Sequence, residues 1–127
     1  MPKYRKHEKS HNSYLKDADD FCADTINRYK KHNVEIASIA QRLHTELHRA
    51  NNIKVTNIDE KNMRHAAQTD AYSLIETLGE KIAFCSKLDD NKIDVDKLNK
   101  WLTRKGDIQS WISSWITSEQ HRYKDIK

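Results

Sequence analysis

His7-Glu8-Lys9-Ser10-His11 matches the HExxH spacing of zinc peptidases. Two imidazoles at i and i+4 share a helix face and can hold Zn2+, while the glutamate activates water. Here the five residues sit in a lysine-rich terminus with no apolar neighbours to bury them, and no third ligand is marked. They read as solvated terminal residues. His44 and His48 repeat the four-residue spacing further along the chain. One such pair is half a metal site, and the sequence names no third ligand, so both read as surface histidines. Asp17, Asp19, Asp20 and Asp24 lack the glycine and the spaced carboxylates of a calcium loop. They read as the solvated face of a first helix. The sequence therefore assigns no metal and no cofactor.

Arg42 and His48 stand six residues apart, the loose Arg–His spacing of helical-bundle ribonucleases of the HEPN type. In such a pair the arginine holds phosphate and the histidine moves protons. Leu43 stands where that family usually has a polar residue. No glycine loop for phosphate and no Ser/His/Asp or Cys/His set is legible. The chain is expected to be non-catalytic.

Binding is the better lead. Arg28, Lys30 and Lys31 cluster together, Arg42 and Arg49 lie two helical turns apart, and Lys54 follows. Residues 25–54 carry six basic groups against two acidic ones. A row of cations meets phosphates along a nucleic-acid strand, and counterion release supplies affinity. Residues 1–9, with Lys3, Arg5, Lys6, Lys9 and Tyr4, would add a flexible basic arm with an aromatic ring to stack on a base.

What must position these groups follows from punctuation and periodicity. The chain of 127 residues has two glycines and one proline, with 36% apolar and 33% charged residues and a net charge of +4. Sheets and irregular folds spend Gly and Pro on their turns, so long helices with short polar links are what remains. Apolar residues fall at helical spacing in four stripes. The first is Tyr14, Leu15, Ala18, Phe21, Cys22, Thr25, Ile26, Tyr29, and the second is Ile36, Ile39, Ala40, Leu43, Leu47, Ala50. The third is Met63, Ala67, Ala71, Leu74, Leu78, Ile82, Cys85, and the fourth is Val95, Leu98, Leu102, Ile108, Trp111, Ile112, Trp115, Ile116. Asn33, Asn57 and Asp94 can cap the last three, and Asn57 with Glu60 reads as a capping box. The spacing predicts helices over 10–30, 34–51, 58–87 and 95–122, forming an antiparallel up-down-up-down four-helix bundle, a single all-α domain over residues 10–127.

No run approaches the roughly 20 apolar residues of a membrane span, and the basic start lacks the apolar stretch of a secretory signal. Cys22 and Cys85 lie on apolar faces without CxxC spacing. Together these point to a cytoplasmic protein with reduced thiols. Trp111 and Trp115, one turn apart, are expected in or near the core. Trp101 falls beside the stripe, next to Leu102, which makes the three tryptophans candidates for a subunit interface.

The stretch from Arg64-His65-Ala66-Ala67 through Asp70-Ala71, then Leu74, Leu78 and Ile82, followed by Ile108-Gln109-Ser110-Trp111-Ile112-Ser113-Ser114-Trp115-Ile116, resembles a bacterial four-helix-bundle family. That family holds the 23S rRNA intervening-sequence proteins and the accessory variability proteins (Avd) of diversity-generating retroelements. Its last helix tends to end in apolar–Gly–Arg–apolar–apolar–small–small–Trp–apolar. Trp115 and Ile116 match the end, Ser113 and Ser114 the small pair, and Ile108, Trp111 and Ile112 the apolar positions. Gln109 and Ser110 stand in place of the Gly and Arg. The resemblance implies a homo-oligomer, a pentamer in the family, from a bacterium or phage. It also implies binding to RNA or an RNA–DNA template and to a reverse transcriptase, without a catalytic residue. Helix three carries Glu76 and Glu80 where some members are basic, so nucleic-acid contact falls to helix two and the ends.

Overall fold

The computed structural model describes residues 10–88 and 94–127. The basic segment 1–9 and residues 89–93 lie outside that range. Four helices follow one another: α1 (His11–Tyr29), α2 (Val34–Asn52), α3 (Ile58–Leu88) and α4 (Val95–Arg122). They form an all-α four-helix bundle, and no helix of the described residues is long and apolar enough to cross a membrane.

Each start has a local cause. Ser10 accepts from the Ser13 N–H at 3.1 Å, Asn33 from Ile36 at 3.2 Å, and Asp94 from Asp96 at 2.9 Å. These side chains satisfy N–H groups that the first turn leaves without partners. At α3 the Asn57 side chain accepts from the Glu60 N–H at 2.9 Å. The reciprocal arm differs from a simple capping box. Glu60 reaches one residue further back, accepting from the Thr56 N–H at 2.9 Å and from the Thr56 hydroxyl. Those bonds hold the Glu60 carboxyl below its ordinary range.

Each helix touches its two neighbours in the order α1–α2–α3–α4 and back to α1. The pairings run antiparallel. Arg64 meets Ile53 and Lys81 meets Glu35 across α2 and α3, while Tyr14 stacks on Trp111 and Phe21 on Trp101 across α1 and α4. At 1.5 Å per residue α1 and α2 are about 28 Å long, α3 about 46 Å and α4 about 42 Å. The first turns of α3 and the last of α4 therefore extend beyond the α1–α2 pair and pack on each other.

The core is one cluster from all four helices, including Phe21, Ile36, Leu43, Leu47, Ile75, Leu78 and Ile112. Two stripe positions depart from expectation. Met63 and Val95 are exposed, because each lies near an end of its helix where the neighbouring helix has run out. On α4 the inward face passes through Trp101, which is 4% exposed, and Leu102 is only half-buried. Thr25 makes that burial tolerable. Its hydroxyl donates to the Phe21 carbonyl at 2.8 Å and accepts from the Trp101 indole N–H at 2.9 Å. A buried hydroxyl and a buried indole thus satisfy each other.

Gly79 also has a packing reason. A methyl there would stand 2.8 Å from Lys105 Cε, so the lysine stem crosses α3 over the glycine. Lys105 then reaches the Glu76 carboxylate at 3.5 Å, and Gln109 donates to the same oxygen. Both contacts lower the Glu76 pKa, the Gln109 bond most. Gly106 has nothing within 4 Å of a built methyl, and α4 runs through it unbroken.

Candidate functional site

The seam between α1 and α2 carries the cluster with the clearest chemistry. Leu43 and Leu47 face the core, which turns His44 and His48, each one residue on, towards the flank nearest α1. Ala18 does the same for Asp19 on α1. The three meet there. His48 Nε2 lies 2.8 Å and 3.0 Å from the two Asp19 carboxylate oxygens, and His44 Nε2 lies 3.4 Å from one of them. The imidazole centroids are 4.6 Å apart. Side-chain exposure runs from 31% to 41%, so the cluster is seated between helices yet open to water. Spacing along the chain pairs the two histidines and leaves Asp19 among the aspartates of α1. The helical register brings it to them as the third donor.

His11 serves elsewhere. It hydrogen-bonds Asn51 at 2.8 Å and packs against the rings of Trp111 and Trp115. His7, its HExxH partner, lies outside the described residues.

The basic set is spread over α1, the turn after it, α2 and the link beyond. Arg28 ends α1, and Lys30 and Lys31 follow in the turn; all three are exposed. Arg42 is exposed midway along α2, and Lys54 is exposed beyond its end. Arg49 is paired with Glu46 at 3.2 Å, one turn back. The turn cations and Lys54 are separated by the length of α2, about 28 Å. The set is thus dispersed and does not make one compact patch.

The three tryptophans are placed differently from the interface reading. Trp101, Trp111 and Trp115 are 4%, 7% and 7% exposed within one chain. Trp101 packs on Phe21, and Trp111 and Trp115 stack on each other at 5.4 Å. Their ring surfaces are spent on the intrachain core, because α1 closes over α4 and covers them. The three rings therefore leave little surface for a subunit interface, contrary to the expectation from spacing.

A second polar cluster was not anticipated. Where α3 and α4 overhang the shorter helices, a cleft of about 400 Å³ is lined by Lys61, Arg64, Gln68, Glu119, Tyr123 and Lys124, among others. Arg64 pairs through Nε with Glu119, donates from a terminal nitrogen to the Ile53 carbonyl at 2.8 Å, and lies over the Trp115 ring. Gln68 is 1% exposed, and its amide nitrogen has no hydrogen-bond partner among the described residues. The sequence signal was present. Arg64, Gln68 and Glu119 continue the inward stripes of α3 and α4 at spacings of four, as polar residues where apolar ones are expected.

Comparison with protein-family models, curated proteins and solved structures finds no match for this chain.

Proposed function

We propose that this chain is a non-catalytic accessory protein that binds nucleic acid through the α1–α2 side of its bundle. Carrying that reading is one observation. Arg28, Lys30, Lys31, Arg42 and Lys54 are exposed, and none is ion-paired among the described residues. Cations held this way are available to phosphates, whereas Arg64, Lys81, Arg104 and Lys105 are already matched to carboxylates on neighbouring helices. Cations dispersed over about 28 Å suit an extended strand better than a compact ligand.

The resemblance in helices three and four supplies the finer proposal. The chain acts as a homo-oligomer, pentameric by that likeness, beside a reverse transcriptase in a diversity-generating retroelement. It binds RNA or an RNA–DNA template in the cytoplasm of a bacterium or a phage-infected cell. Because the tryptophans are buried, the subunit contact falls on other surfaces.

Fluorescence anisotropy with single-stranded RNA at rising salt tests the surface. Binding should weaken steeply with salt, and Arg42→Glu with Lys30→Glu and Lys31→Glu should lower both affinity and salt slope. Unchanged binding in the triple variant would rule out this face. Light scattering of the purified chain reads the oligomer, and a lone 15.0 kDa species would remove that part.

The ribonuclease reading gains one specific observation, the His48–Asp19 contact, since a carboxylate can orient an imidazole. Geometry weighs against the pairing with Arg42. Six residues turn a helix by 600°, which leaves Arg42 and His48 about 120° apart around α2. RNA cleavage by the pure protein that disappears in His48→Ala would restore it.

A further inference from the structure

We propose that Asp19, His44 and His48 form a binding site for one divalent transition-metal ion of the Zn2+ class. Nothing in this depends on the nucleic-acid surface.

The donor set is the first reason. Two imidazoles and a carboxylate suit Zn2+ and its first-row neighbours, whereas Mg2+ and Ca2+ take oxygen donors. Among the described residues this is the cluster whose candidate ligand atoms all lie within 4.8 Å of one another. Distances are the second. Zn–N and Zn–O bonds of about 2.0–2.2 Å put the edges of a tetrahedron near 3.4 Å. The observed separations are 2.8 Å for His48 to Asp19 and 3.4 Å for His44 to Asp19, and no two of the three candidate ligand atoms are more than 4.8 Å apart.

The scaffold is the third reason. His44 and His48 are one turn apart on α2, and Asp19 is mid-helix on α1, so all three stand on rigid elements whose spacing is set by the core beneath. The metal would replace whatever proton bridges His48 and Asp19, and that proton leaves to solvent. Partial exposure leaves the fourth coordination position to water. Cys22, next to the site on α1, does not join it. It is fully buried, and burial with the nearby Asp19 charge pushes its thiol up to about 12. A bound ion would tie α1 to α2.

The test uses the full chain carrying His7→Ala, which removes the HExxH pair as a competitor. Zn2+ is titrated against a chromogenic chelator, and Co2+ is followed by its visible absorption. One Zn2+ per chain is expected, with the Co2+ band of a four-coordinate site and a raised thermal midpoint. Asp19→Ala, His44→Ala and His48→Ala should each weaken binding by more than about tenfold, as loss of a direct ligand must exceed the effect of losing an outer partner. His121→Ala, an exposed control, should not. Circular dichroism confirms that each variant is folded. X-ray absorption of the Zn2+-loaded protein with native ligands needs no ligand variant and should read nitrogen and oxygen donors with an imidazole signature and no sulfur. Absence of Zn2+ binding, binding retained in His48→Ala, or a sulfur-containing shell would each overturn the assignment.

Discussion

Two polar clusters occupy opposite seams of this bundle, and they differ in how much water they keep. Between α1 and α2, Asp19, His44 and His48 are about one-third exposed and can trade a protein partner for water, a proton or an ion. Between α3 and α4, Arg64 and Glu119 are 14% and 9% exposed, held beneath the overhang with the Gln68 amide beside them. The chemistry of the groups is similar, yet their roles diverge. A charge deprived of water is bound to its partner by the cost of being alone. A charge that keeps water gains little from any single partner and stays free to change it.

The sharpest way to break that contrast is at Glu119. Glu119→Ala leaves the Arg64 guanidinium buried without its carboxylate, and the expected loss is about 3–5 kcal/mol of unfolding free energy by chemical denaturation. A loss under 1 kcal/mol would mean that water already reaches the pair. Thr25→Val probes a neutral version of the same rule. It keeps the shape but strips the acceptor from the Trp101 N–H, and should cost about 1–3 kcal/mol. An unchanged midpoint in urea would show that the indole finds another acceptor.

Cys22 extends the comparison to pH. Its folded-state pKa, about 12, lies above the ordinary thiol value of 9.0. The folded chain therefore holds this proton more tightly than the unfolded one. Stability from this group is complete below pH 9 and falls as pH rises towards 12, by about 1.4 kcal/mol per pH unit. Cys22→Ala should flatten the alkaline limb of a stability profile; equal slopes in the two proteins would contradict the burial argument. The smallest effect belongs to the open seam. Without metal, Asp19→Asn should change stability by less than about 1 kcal/mol, since exposed ion pairs contribute little. A loss as large as that of Glu119→Ala would erase the distinction between the seams.

The four-helix order was readable because its causes are local. Stripe spacing, the caps Asn33, Asn57 and Asp94, and the scarcity of glycine all act within a turn or two of the chain. The same locality explains the misreadings. Trp101 falls beside the α4 stripe because Leu102 completes the spacing, and it is the Phe21 ring and the Thr25 hydroxyl, both from α1, that make the indole a core residue. Glu60 reaches back to Thr56 as well as to Asn57, one residue beyond the capping box. Arg64, Gln68 and Glu119 broke the apolar pattern visibly. Their meaning depended on α3 and α4 outrunning the other two helices.

Residue order alone determined that four amphipathic helices would form, roughly where each begins and ends, and which face each would hide. Periodicity and capping are contacts between near neighbours, so they are written along the chain. Tertiary structure decided the rest: that Asp19 meets His44 and His48, that the tryptophans are covered, and that Arg64, Gln68 and Glu119 gather in one cleft. Those depend on the sliding and rotation of one helix against another, which the packing of the whole core sets and no single helix encodes.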